Sequence, residues 1–588
     1  MRKLFTYLRD YLKESILAPL FKLAESLMDL LVPLVVASII NRGIAAGNSQ
    51  LITWYFLLLI ALAALGMAFS FTAQWMAAKA SVGFSTKLRQ ALFDHIQQLT
   101  YRELDTLGTD TLITRMTSDI NQVQNGLNLA LRLLLRSPFI VFGAMIMAFT
   151  IDIPSALVFA VAIPLLSVVV FGIMMLSIPL FSQVQARLDQ LLGMTRENLT
   201  GVRVIRAFCK EEQEIEEFDR RNALLTTMNE RVGRMSALMN PATFLIINVA
   251  TIVLINQGAL RVELGAIQQG DVVALYNYMA QIVVELVKLA SLIITLNRSL
   301  ACAQRVQDVL DVEPSMTYPQ ELPHPLPAND EAASFDHVSF AYASSGDDVL
   351  DDIDFTVRKG ETVGIIGGTG SGKTSVVQLI PRFYDVTSGT VRVAGVDVRD
   401  YPEGELIKRI GIVPQKAVLF EGSIRDNLLW GNGDASDEEL WEALRTAQAE
   451  EIVKGRDGQL DAPIEQGGRN LSGGQRQRLT IARALVRRPD ILILDDSASA
   501  LDFATDLALR RAIASLPGSM TVFIVSQRTS SVRHADQILT LDDGKVAGIG
   551  THDELMQSCT VYQEIYYSQF SEERPGATDQ AAGREAQS

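Results

Sequence analysis

The stretch TVGIIGGTGSGKTSVVQLI, residues 362–380, decides the fold of the C-terminal half of the chain. A β-rich apolar run enters a glycine-rich loop, which continues into a run with helical apolar spacing. The loop fits the pattern G-x-x-x-x-G-K-[ST], at Gly367, Gly372, Lys373 and Thr374. In such a loop backbone N–H groups surround phosphate oxygens, the lysine reaches the terminal phosphates and the hydroxyl holds magnesium. The stretch therefore predicts a strand, a phosphate-binding loop and a helix.

Two downstream segments extend the predicted nucleotide chemistry. In ILILDD, residues 491–496, four apolar residues indicate a buried parallel strand, and Asp495 at its end is placed to hold magnesium. In LSGGQRQRL, residues 471–479, a helix is expected to begin at Ser472 and to offer an anion site at its N-terminus. One chain needs only one phosphate loop for its own nucleotide, so the second anion site suggests a partner's nucleotide.

The N-terminal half is predicted to be a membrane domain of six spans. A bilayer crossing takes about 20 apolar residues. The clearest candidates are 51–78, 153–186 and 235–260, and three weaker ones that contain charges are 15–40, 133–151 and 272–297. With the N-terminus inside, the inside segments 1–14, 79–136 and 187–234 contain 4, 7 and 9 Lys and Arg residues. The outside loops 41–50, 152 and 261–271 contain 1, 0 and 1. Since basic residues accumulate on the cytosolic side, this asymmetry supports six spans.

Charged residues in the weaker spans are candidate functional groups. Glu25 and Asp29 lie in the first, and Glu285 and Lys288 in the last. Charges that face lipid are costly, so these side chains are expected to face the bundle interior or an aqueous cavity. A substrate-contacting or gating role is the alternative to a structural one. Glu285 and Lys288 are three residues apart and share a helix face, so they are expected to pair.

Composition narrows the classes of protein. The chain of 588 residues is 48% hydrophobic, which excludes a disordered chain and favours membrane content. A net charge of −15 does not favour a nucleic-acid-binding surface. The three cysteines, Cys209, Cys302 and Cys559, lie far apart, so neither a disulfide framework nor a cysteine metal site is expected. The basic N-terminus lacks a small-residue cleavage site, which favours a retained anchor over a secretory signal.

The expected domain layout follows from these patterns. Residues 1–312 form the six-span domain with long cytosolic loops, and the proline-rich residues 313–330 form a linker. Residues 331–570 form the nucleotide-binding domain. The polar residues 571–588 are expected to be a disordered tail.

Together these motifs resemble those of an ATP-binding cassette exporter half-transporter, over essentially all of residues 1–570. The resemblance implies an all-α transmembrane domain of six helices, followed by an α/β P-loop domain with a helical subdomain. It also implies a multi-pass protein of the cell membrane with a cytosolic nucleotide-binding domain, which hydrolyses ATP with Mg²⁺ to move small amphipathic drugs or lipids. In this family each nucleotide lies between the phosphate loop of one chain and the LSGGQ segment of a second half-transporter.

The resemblance also implies roles for single residues. Tyr342 stacks on adenine, and Gln415 joins Thr374 and Asp495 as a magnesium contact and relays to the membrane helices. The phosphate loop contacts the nucleotide through Gly367, Gly368, Thr369, Gly370, Ser371, Gly372, Lys373, Thr374 and Ser375. The partner's nucleotide is contacted by Ser472, Gly473, Gly474 and Gln475. Asp502 crosses the dimer seam, and the loops 101–110 and 202–218 carry short helices that dock onto nucleotide domains.

Two positions depart from the family pattern. The general base is a glutamate after the magnesium aspartate, but Asp496 is one methylene shorter, and loss of a general base costs a factor of about 10²–10⁴ in rate. The histidine that senses the γ-phosphate is replaced by Gln527. The pattern resembles the degenerate-site subunit of heterodimeric bacterial multidrug exporters. The chain's own phosphate loop then forms a slow site, and its LSGGQ segment completes the partner's active site.

Other hypotheses remain at this stage. One is a homodimer in which Asp496 hydrolyses ATP slowly at both sites, and another is a nucleotide-gated regulatory or channel subunit. A soluble ATPase acting on nucleic acid or ribosomes is opposed by the six spans. An importer that uses this architecture for metal chelates is a further alternative.

Overall fold

A computed structural model describes residues 4–322, 330–343, 346–497, 499–516, 518 and 520–570. The chain divides into two compact units. The first contains Met1–Gln97 and Asp110–Val312, and the second contains Gln98–Thr109 and the chain from Glu313 onward. The whole expected tail at 571–588 and the linker residues 323–329 lie outside the described residues. The domain limits given above remain a prediction.

The first half of the chain is helical. Its helices are α1 (Leu12–Ser38), α2 (Ser49–Gln98), α3 (Tyr101–Leu107), α4 (Thr109–Thr114), α5 (Ile120–Leu133), α6 (Arg136–Ile151), α7 (Ile153–Thr200), α8 (Val202–Ala207), α9 (Glu211–Ala237), α10 (Met239–Glu263) and α11 (Gln269–Leu310). Within the described residues, six helical stretches are long and apolar enough to cross a membrane: Leu4–Ile44, Ser49–Gln98, Thr109–Ile151, Ile153–Thr200, Glu211–Glu263 and Gln269–Leu310. The predicted six-helix membrane domain is confirmed.

The spanning helices are longer than the apolar runs that predict them. Helix α2 has 50 residues, about 75 Å at 1.5 Å per residue, whereas the hydrocarbon core is about 30 Å thick. The uncharged run 51–78 covers only its first part, so its charged remainder continues beyond the bilayer. The same reasoning applies to α7, which has 48 residues.

Close helix packing in the membrane unit depends on small residues. A side chain at Gly143 would meet Leu30, and one at Gly258 would meet Val272. Small residues at such crossings let helix backbones approach, which drives association where lipid supplies no hydrophobic force. The Tyr278 hydroxyl is fully buried and donates to the backbone carbonyl of Leu30 at 2.6 Å, which links α11 to α1.

The second unit combines strands and helices. Its strands are β1 (Glu331–Phe340), β2 (Leu350–Arg358), β3 (Thr362–Gly367), β4 (Ser388–Val393), β5 (Val396–Asp397), β6 (Ile410–Val413), β7 (Gly422–Ser423), β8 (Pro463–Ile464), β9 (Ile491–Asp495), β10 (Thr521–Val525), β11 (Gln537–Asp542) and β12 (Lys545–Gly550). Its helices from Glu313 onward are α12 (Lys373–Leu379), α13 (Glu405–Lys408), α14 (Ile424–Leu429), α15 (Asp437–Thr446), α16 (Glu450–Lys454), α17 (Gly473–Val486), α18 (Phe503–Ala514), α19 (Thr529–Val532), α20 (His552–Ser558) and α21 (Thr560–Gln569).

A six-stranded sheet positions the site. Its order is β12-β11-β3-β10-β9-β6, and the pairs from β11 to β6 are parallel. Val525 at the end of β10 lies opposite both Asp495 and Ile365, so the carboxyl ends of three strands meet at one edge. Ligands of open parallel sheets bind at such an edge. All five residues of β9 are buried, as the sequence predicts for ILILD.

Two apolar cores surround this sheet. One lies between it and the antiparallel sheet β2-β1-β4-β5 and includes Phe335, Ile365 and Phe523. The other includes Leu440 and Leu444 of α15 and packs the inserted helices α14–α17. These helices lie between β6 and β9 in the chain and form the helical subdomain. The predicted fold class, an all-α membrane domain followed by an α/β nucleotide-binding domain, is confirmed.

Candidate functional site

The glycine-rich loop lies between the buried strand β3 and helix α12. Gly370 and Gly372 have φ angles of 85° and 91°, a region that favours glycine because it has no Cβ. A Cβ at Gly367 would approach the carbonyl oxygen of Leu541 to 2.3 Å. The glycines are therefore required by backbone conformation and by close packing, and they leave the loop N–H groups unobstructed.

Lys373 bends back over this loop. Its Nζ donates to the carbonyl oxygens of Gly367 at 3.1 Å and Gly368 at 2.5 Å. Burial lowers the pKa of Lys373, and the carboxylates of Asp496 and Asp495 oppose that shift. A buried ammonium held mainly by carbonyl groups is well suited to pair with a polyanion, since charge pairing offsets its desolvation.

Thr374 and Asp495 form the oxygen pair expected of a magnesium site. The Thr374 hydroxyl donates to Asp495 Oδ1 at 3.0 Å. Burial raises the pKa of Asp495, the Asp496 carboxylate acts in the same direction, and the Thr374 hydrogen bond opposes both. A buried carboxylate beside a hydroxyl matches the hard oxygen ligands that Mg²⁺ prefers, so these residues fit that ion.

The two departures from the family pattern lie in the same cleft as the phosphate loop. The cleft has a volume of about 270 Å³ and is lined by Val349, Thr369, Gly370, Gly372, Lys373, Thr374, Ser375, Gln415, Asp495, Asp496, Val525, Ser526 and Gln527. Gln415 Nε2 donates to Asp496 Oδ2 at 3.4 Å. Asp496 has a φ of 44°, and its amide donates to the carbonyl of Val525 at 3.0 Å. Ten of the predicted site positions thus line one cleft.

Tyr342 contacts the end of the phosphate loop. Its hydroxyl lies 3.0 Å from Ser375 Oγ and donates to Gln378 Oε1 at 3.3 Å. Its ring is edge-on to Tyr384, with centroids 5.2 Å apart. Burial raises the pKa of the Tyr342 hydroxyl. The structure therefore places Tyr342 beside the loop, and stacking on adenine stays a prediction.

The short helix α3 packs against the nucleotide-binding part of its unit. The Tyr101 ring centroid lies 4.6 Å from that of Phe383. The Tyr384 hydroxyl donates to Asp105 Oδ2 at 2.6 Å. Sequence reasoning expected the loop 101–110 to dock but did not identify Tyr384. The available sequence signal was the aromatic pair Phe383 and Tyr384. Its contacts on α3 are about 280 residues away in the sequence.

The LSGGQ segment begins helix α17 as predicted. Ser472 is the N-cap: its hydroxyl accepts from the Gln475 amide at 3.3 Å, and Gln475 Oε1 accepts from the Ser472 amide at 3.0 Å. Ser472 and Gly473 are exposed. Among the described residues that line the phosphate-loop cleft, none belongs to 472–475. The two predicted anion sites of this chain are therefore separate.

Asp502 has a local structural role in this chain. It caps α18, where Oδ1 accepts from the Thr505 amide at 2.9 Å and Oδ2 from the Thr505 hydroxyl at 2.8 Å. These hydrogen bonds lower its pKa. Its predicted position at a dimer seam involves a second chain and stays a prediction.

The predicted charged residues of the first and last spans form one network with Arg136. Lys288 Nζ donates to Glu285 Oε1 at 3.0 Å, so the expected pair exists. Arg136 also donates to Glu285 at 2.9 Å and to Asp29 at 3.1 Å. Glu25 accepts from Lys22 at 2.5 Å. Glu285 is buried, as expected of a charge that faces the bundle interior.

Two family models match this chain. Residues 15–286 match the ABC transporter transmembrane region, and residues 350–499 match the ABC transporter model. The second match contains the phosphate loop, the helical subdomain and the LSGGQ segment. The first contains Asp29, Arg136 and Glu285.

Relatives and a solved structure resemble the chain over nearly its full length. An uncharacterised ABC transporter ATP-binding protein of Mycobacterium bovis is 36% identical over 96% of this chain and 97% of its own. The ATP-dependent lipid A-core flippase of Chromobacterium violaceum is 30% identical over 97% of each chain. A bacterial Atm1-family ABC exporter with ATP bound matches in fold, with a TM-score of 0.77 and 22% identity over 97% of this chain and 99% of that one.

Proposed function

This chain belongs to the ATP-binding cassette (ABC) transporter family, and on that premise we propose that it works as the degenerate-site subunit of a heterodimeric exporter. It is a multi-pass membrane protein with a cytosolic nucleotide-binding domain, an ATP-driven exporter that couples ATP hydrolysis to transport. The proposal concerns how the two nucleotide sites divide the work.

The observation that carries the proposal is the separation of the two anion sites. The phosphate-loop cleft contains Lys373, Thr374 and Asp495 but, among described residues, nothing from 472–475. The capped helix tip at Ser472 is exposed and preformed by its reciprocal bonds with Gln475. A helix N-terminus of this kind favours an anion. Supplied to a second half-transporter, it would complete that chain's nucleotide site.

The same cleft has two catalytic positions that differ from the family pattern. Asp496 stands where the base is a glutamate, and Gln527 where a histidine senses the γ-phosphate. A general base must lie within hydrogen-bond distance of the attacking water. The aspartate side chain is one methylene shorter than glutamate, so its carboxylate lies farther from that water. The phosphate loop keeps every residue needed to hold a triphosphate. The chain's own site therefore binds ATP and hydrolyses it slowly.

The remaining site roles follow from position. The loop from Gly367 to Ser375 holds the phosphates, with Lys373 on the terminal groups, and Tyr342 contacts the adenine. Thr374 and Asp495 would hold Mg²⁺, with Gln415 as a further contact, and the ion would supply neutralisation of the phosphate charge. The chain's own contribution is to fix these oxygens before the nucleotide arrives.

We propose amphipathic drugs or lipids as the exported substrate class. One full-length relative at 30% identity is named a lipid A-core flippase. The membrane unit also contains a cavity whose mainly apolar wall includes charged residues. A homodimer that is slow at both sites is the alternative, since Asp496 retains a carboxylate in the cleft. A nucleotide-gated regulatory subunit is a second alternative.

The asymmetry can be tested with paired variants. The chain is co-expressed with candidate half-transporters that carry the glutamate and the histidine, and steady-state ATPase activity is measured in lipid nanodiscs. We expect Ser472→Ala to abolish most activity, because it damages the partner's site, and Asp496→Asn to have a much smaller effect. Equal losses from both variants, in a chain that is active alone, would instead establish the homodimer.

A further inference from the structure

A cavity of about 490 Å³ in the membrane unit is lined by charged residues of three helices. Asp29 comes from α1, Arg136 from α6, and Glu285 and Lys288 from α11. Its size falls within the range of about 300–1,000 Å³ typical of small-molecule sites. Ionisable groups inside a membrane domain are costly and usually mark a substrate path or a functional contact.

The charges of this cavity balance one another. Arg136 bridges Glu285 and Asp29, and Glu285 also accepts from the Ser137 hydroxyl at 2.8 Å and from Lys288 at 3.0 Å. The adjoining Lys22–Glu25 pair lies beside it, with Glu25 3.9 Å from Arg136. The cluster consists of three bases and three acids: Lys22, Arg136, Lys288, Glu25, Asp29 and Glu285. It therefore has no net charge to attract an ion of either sign.

Two of these charges remain accessible from the cavity. The side chains of Asp29 and Lys288 are 42% and 45% exposed, whereas those of Arg136 and Glu285 are 13% and 5% exposed. Among the described residues of the cavity wall, Arg136 Nε and Gln281 Oε1 are buried and lack a hydrogen-bond partner. The wall thus presents one accessible anion and one accessible cation, together with one unused donor and one unused acceptor.

The cluster lies near the cytosolic side of the bilayer. Glu285 is about 24 Å along α11 from Gln269, and Arg136 is about 22 Å along α6 from Ile151, at 1.5 Å per residue. Gln269 is at the outer end of α11, because the nucleotide-binding domain follows the other end of this helix in the cytosol. Ile151 is at the outer end of α6, because it precedes the outside loop at residue 152. In a hydrocarbon core of about 30 Å that begins at the outer helix ends, this depth lies in the inner-leaflet half, roughly 6–8 Å from the inner head groups.

We propose that this cavity binds the head group of a zwitterionic amphiphile taken from the inner leaflet, with its ammonium on Asp29 and its anionic group on Lys288. The inference rests on the proposed export of amphipathic molecules and specifies their head group. A purely anionic head group would be repelled by Asp29, and a purely cationic one would be repelled by Lys288. A zwitterion pairs with both and keeps the cluster neutral, which avoids an uncompensated charge in a partly buried site.

Binding of matched lipids to the full chain in nanodiscs tests this proposal. The competitors displace a fluorescent phosphoethanolamine lipid and share two eight-carbon chains, with a phosphoethanolamine, a phosphate monoester or a trimethylammonium head group. Chain-free glycerophosphoethanolamine, which keeps the phosphodiester and the ammonium, is the fourth competitor. We expect the zwitterionic lipid to bind at least about tenfold more tightly than the phosphate lipid or the trimethylammonium lipid. The chain-free head group should be weaker by at least about a hundredfold.

Two charge-neutralising substitutions are the decisive variants. Asp29→Asn should weaken the zwitterionic lipid about tenfold and favour the phosphate lipid over the cationic one. Lys288→Gln should cause the same loss with the opposite preference. Controls are Glu263→Gln and Lys13→Gln, which neutralise exposed charges outside the cavity wall. Arg136 is left intact, because it pairs with both Glu285 and Asp29 and its removal would disturb both partners at once.

The proposal is overturned if the wild-type chain prefers the phosphate lipid or the trimethylammonium lipid, or if the two variants shift all three lipids equally. Chain-free glycerophosphoethanolamine that competes as well as the zwitterionic lipid would also overturn it. The assay uses neither nucleotide nor a partner chain. A negative result therefore leaves the ATPase asymmetry intact, and a failure of that asymmetry leaves this result intact.

Discussion

The side-chain amide of Gln415 donates to the carboxylate of Asp496 across 3.4 Å in the nucleotide cleft. The backbone of Asp496 is fixed on both sides, since its amide donates to Val525 at 3.0 Å and its carbonyl accepts from Ser499 Oγ at 2.8 Å. Its φ of 44° is uncommon for a residue with a side chain. Side-chain length at this position therefore determines how far the carboxylate reaches toward the attacking water.

Restoring the family residues should restore hydrolysis at this chain's own site. In a heterodimer whose partner lacks its catalytic glutamate, we expect Asp496→Glu combined with Gln527→His to raise ATPase activity about 10²-fold. Only this chain's site can then contribute. Single-turnover hydrolysis of radiolabelled ATP measures the change. Adding Lys373→Ala should remove the gain, and a gain that survives this third substitution would place hydrolysis elsewhere.

Removal of the Thr374 hydroxyl should separate magnesium from nucleotide binding. Thr374→Val keeps the side-chain volume but loses the oxygen that lies 3.0 Å from Asp495. We expect the affinity for MgATP to fall about tenfold and the affinity for ATP in EDTA to change little. Equilibrium binding of a fluorescent ATP analogue measures both. Thr446→Val is the control, because this half-buried threonine of α15 is not among the residues that line the nucleotide cleft. Equal losses with and without magnesium would contradict the assignment.

The buried carboxylate of Asp495 should reduce the stability of the nucleotide-free protein. Burial raises its pKa above the ordinary 3.8, so ionisation costs stability as the pH rises from 3.8 through the raised value. That cost is fully present at neutral pH and absent below 3.8. Asp495→Asn should raise the unfolding temperature at pH 7, and the difference should shrink as the pH falls. Thermal unfolding of the full chain measures it, with the exposed Asp434→Asn as control. A lower unfolding temperature at pH 7 would refute this prediction.

The hydrogen bond from Tyr384 to Asp105 should link the docked helix α3 to the nucleotide site. Tyr384→Phe keeps the ring against Tyr342 and Tyr101 but removes the hydroxyl. We expect nucleotide affinity to stay within about twofold, whereas substrate stimulation of ATPase activity should fall several-fold, by the loss of one charge-assisted hydrogen bond. Tyr401→Phe, whose hydroxyl donates to Val393 away from α3, is the control. Unchanged stimulation would show that the bond carries no coupling.

The fold was largely predictable because its signals are local. The glycine loop between an apolar strand and a helical pattern determines β3 and α12, and long uncharged runs determine the clearest spans. The weaker spans were recognisable only with the loop charges. Arg136 pairs with Glu285 and Asp29 across three helices. These charges lower the hydrophobicity of each span in the sequence, although in the structure they pair with one another. Periodicity within one segment cannot reveal that compensation.

The site was predictable in its motifs but not in its contacts. The phosphate loop, Asp495 and Ser472 follow from short patterns whose backbone geometry is intrinsic. The bond between Gln415 and Asp496 and the docking of Tyr101 on Phe383 join segments far apart in the chain. Nothing in either segment specifies the other, because the parallel sheet and the return of α3 bring them together. Such pairs require the tertiary structure.

ATP turnover by the purified chain without any partner, reconstituted in a bilayer, tests the central claim most directly. The account predicts that this chain alone binds MgATP, yet hydrolyses it at least about 10²-fold more slowly than the complete heterodimer does. Its site lacks both the longer carboxylate at position 496 and a second chain's helix tip. Brisk turnover together with substrate transport by the lone chain would contradict the account.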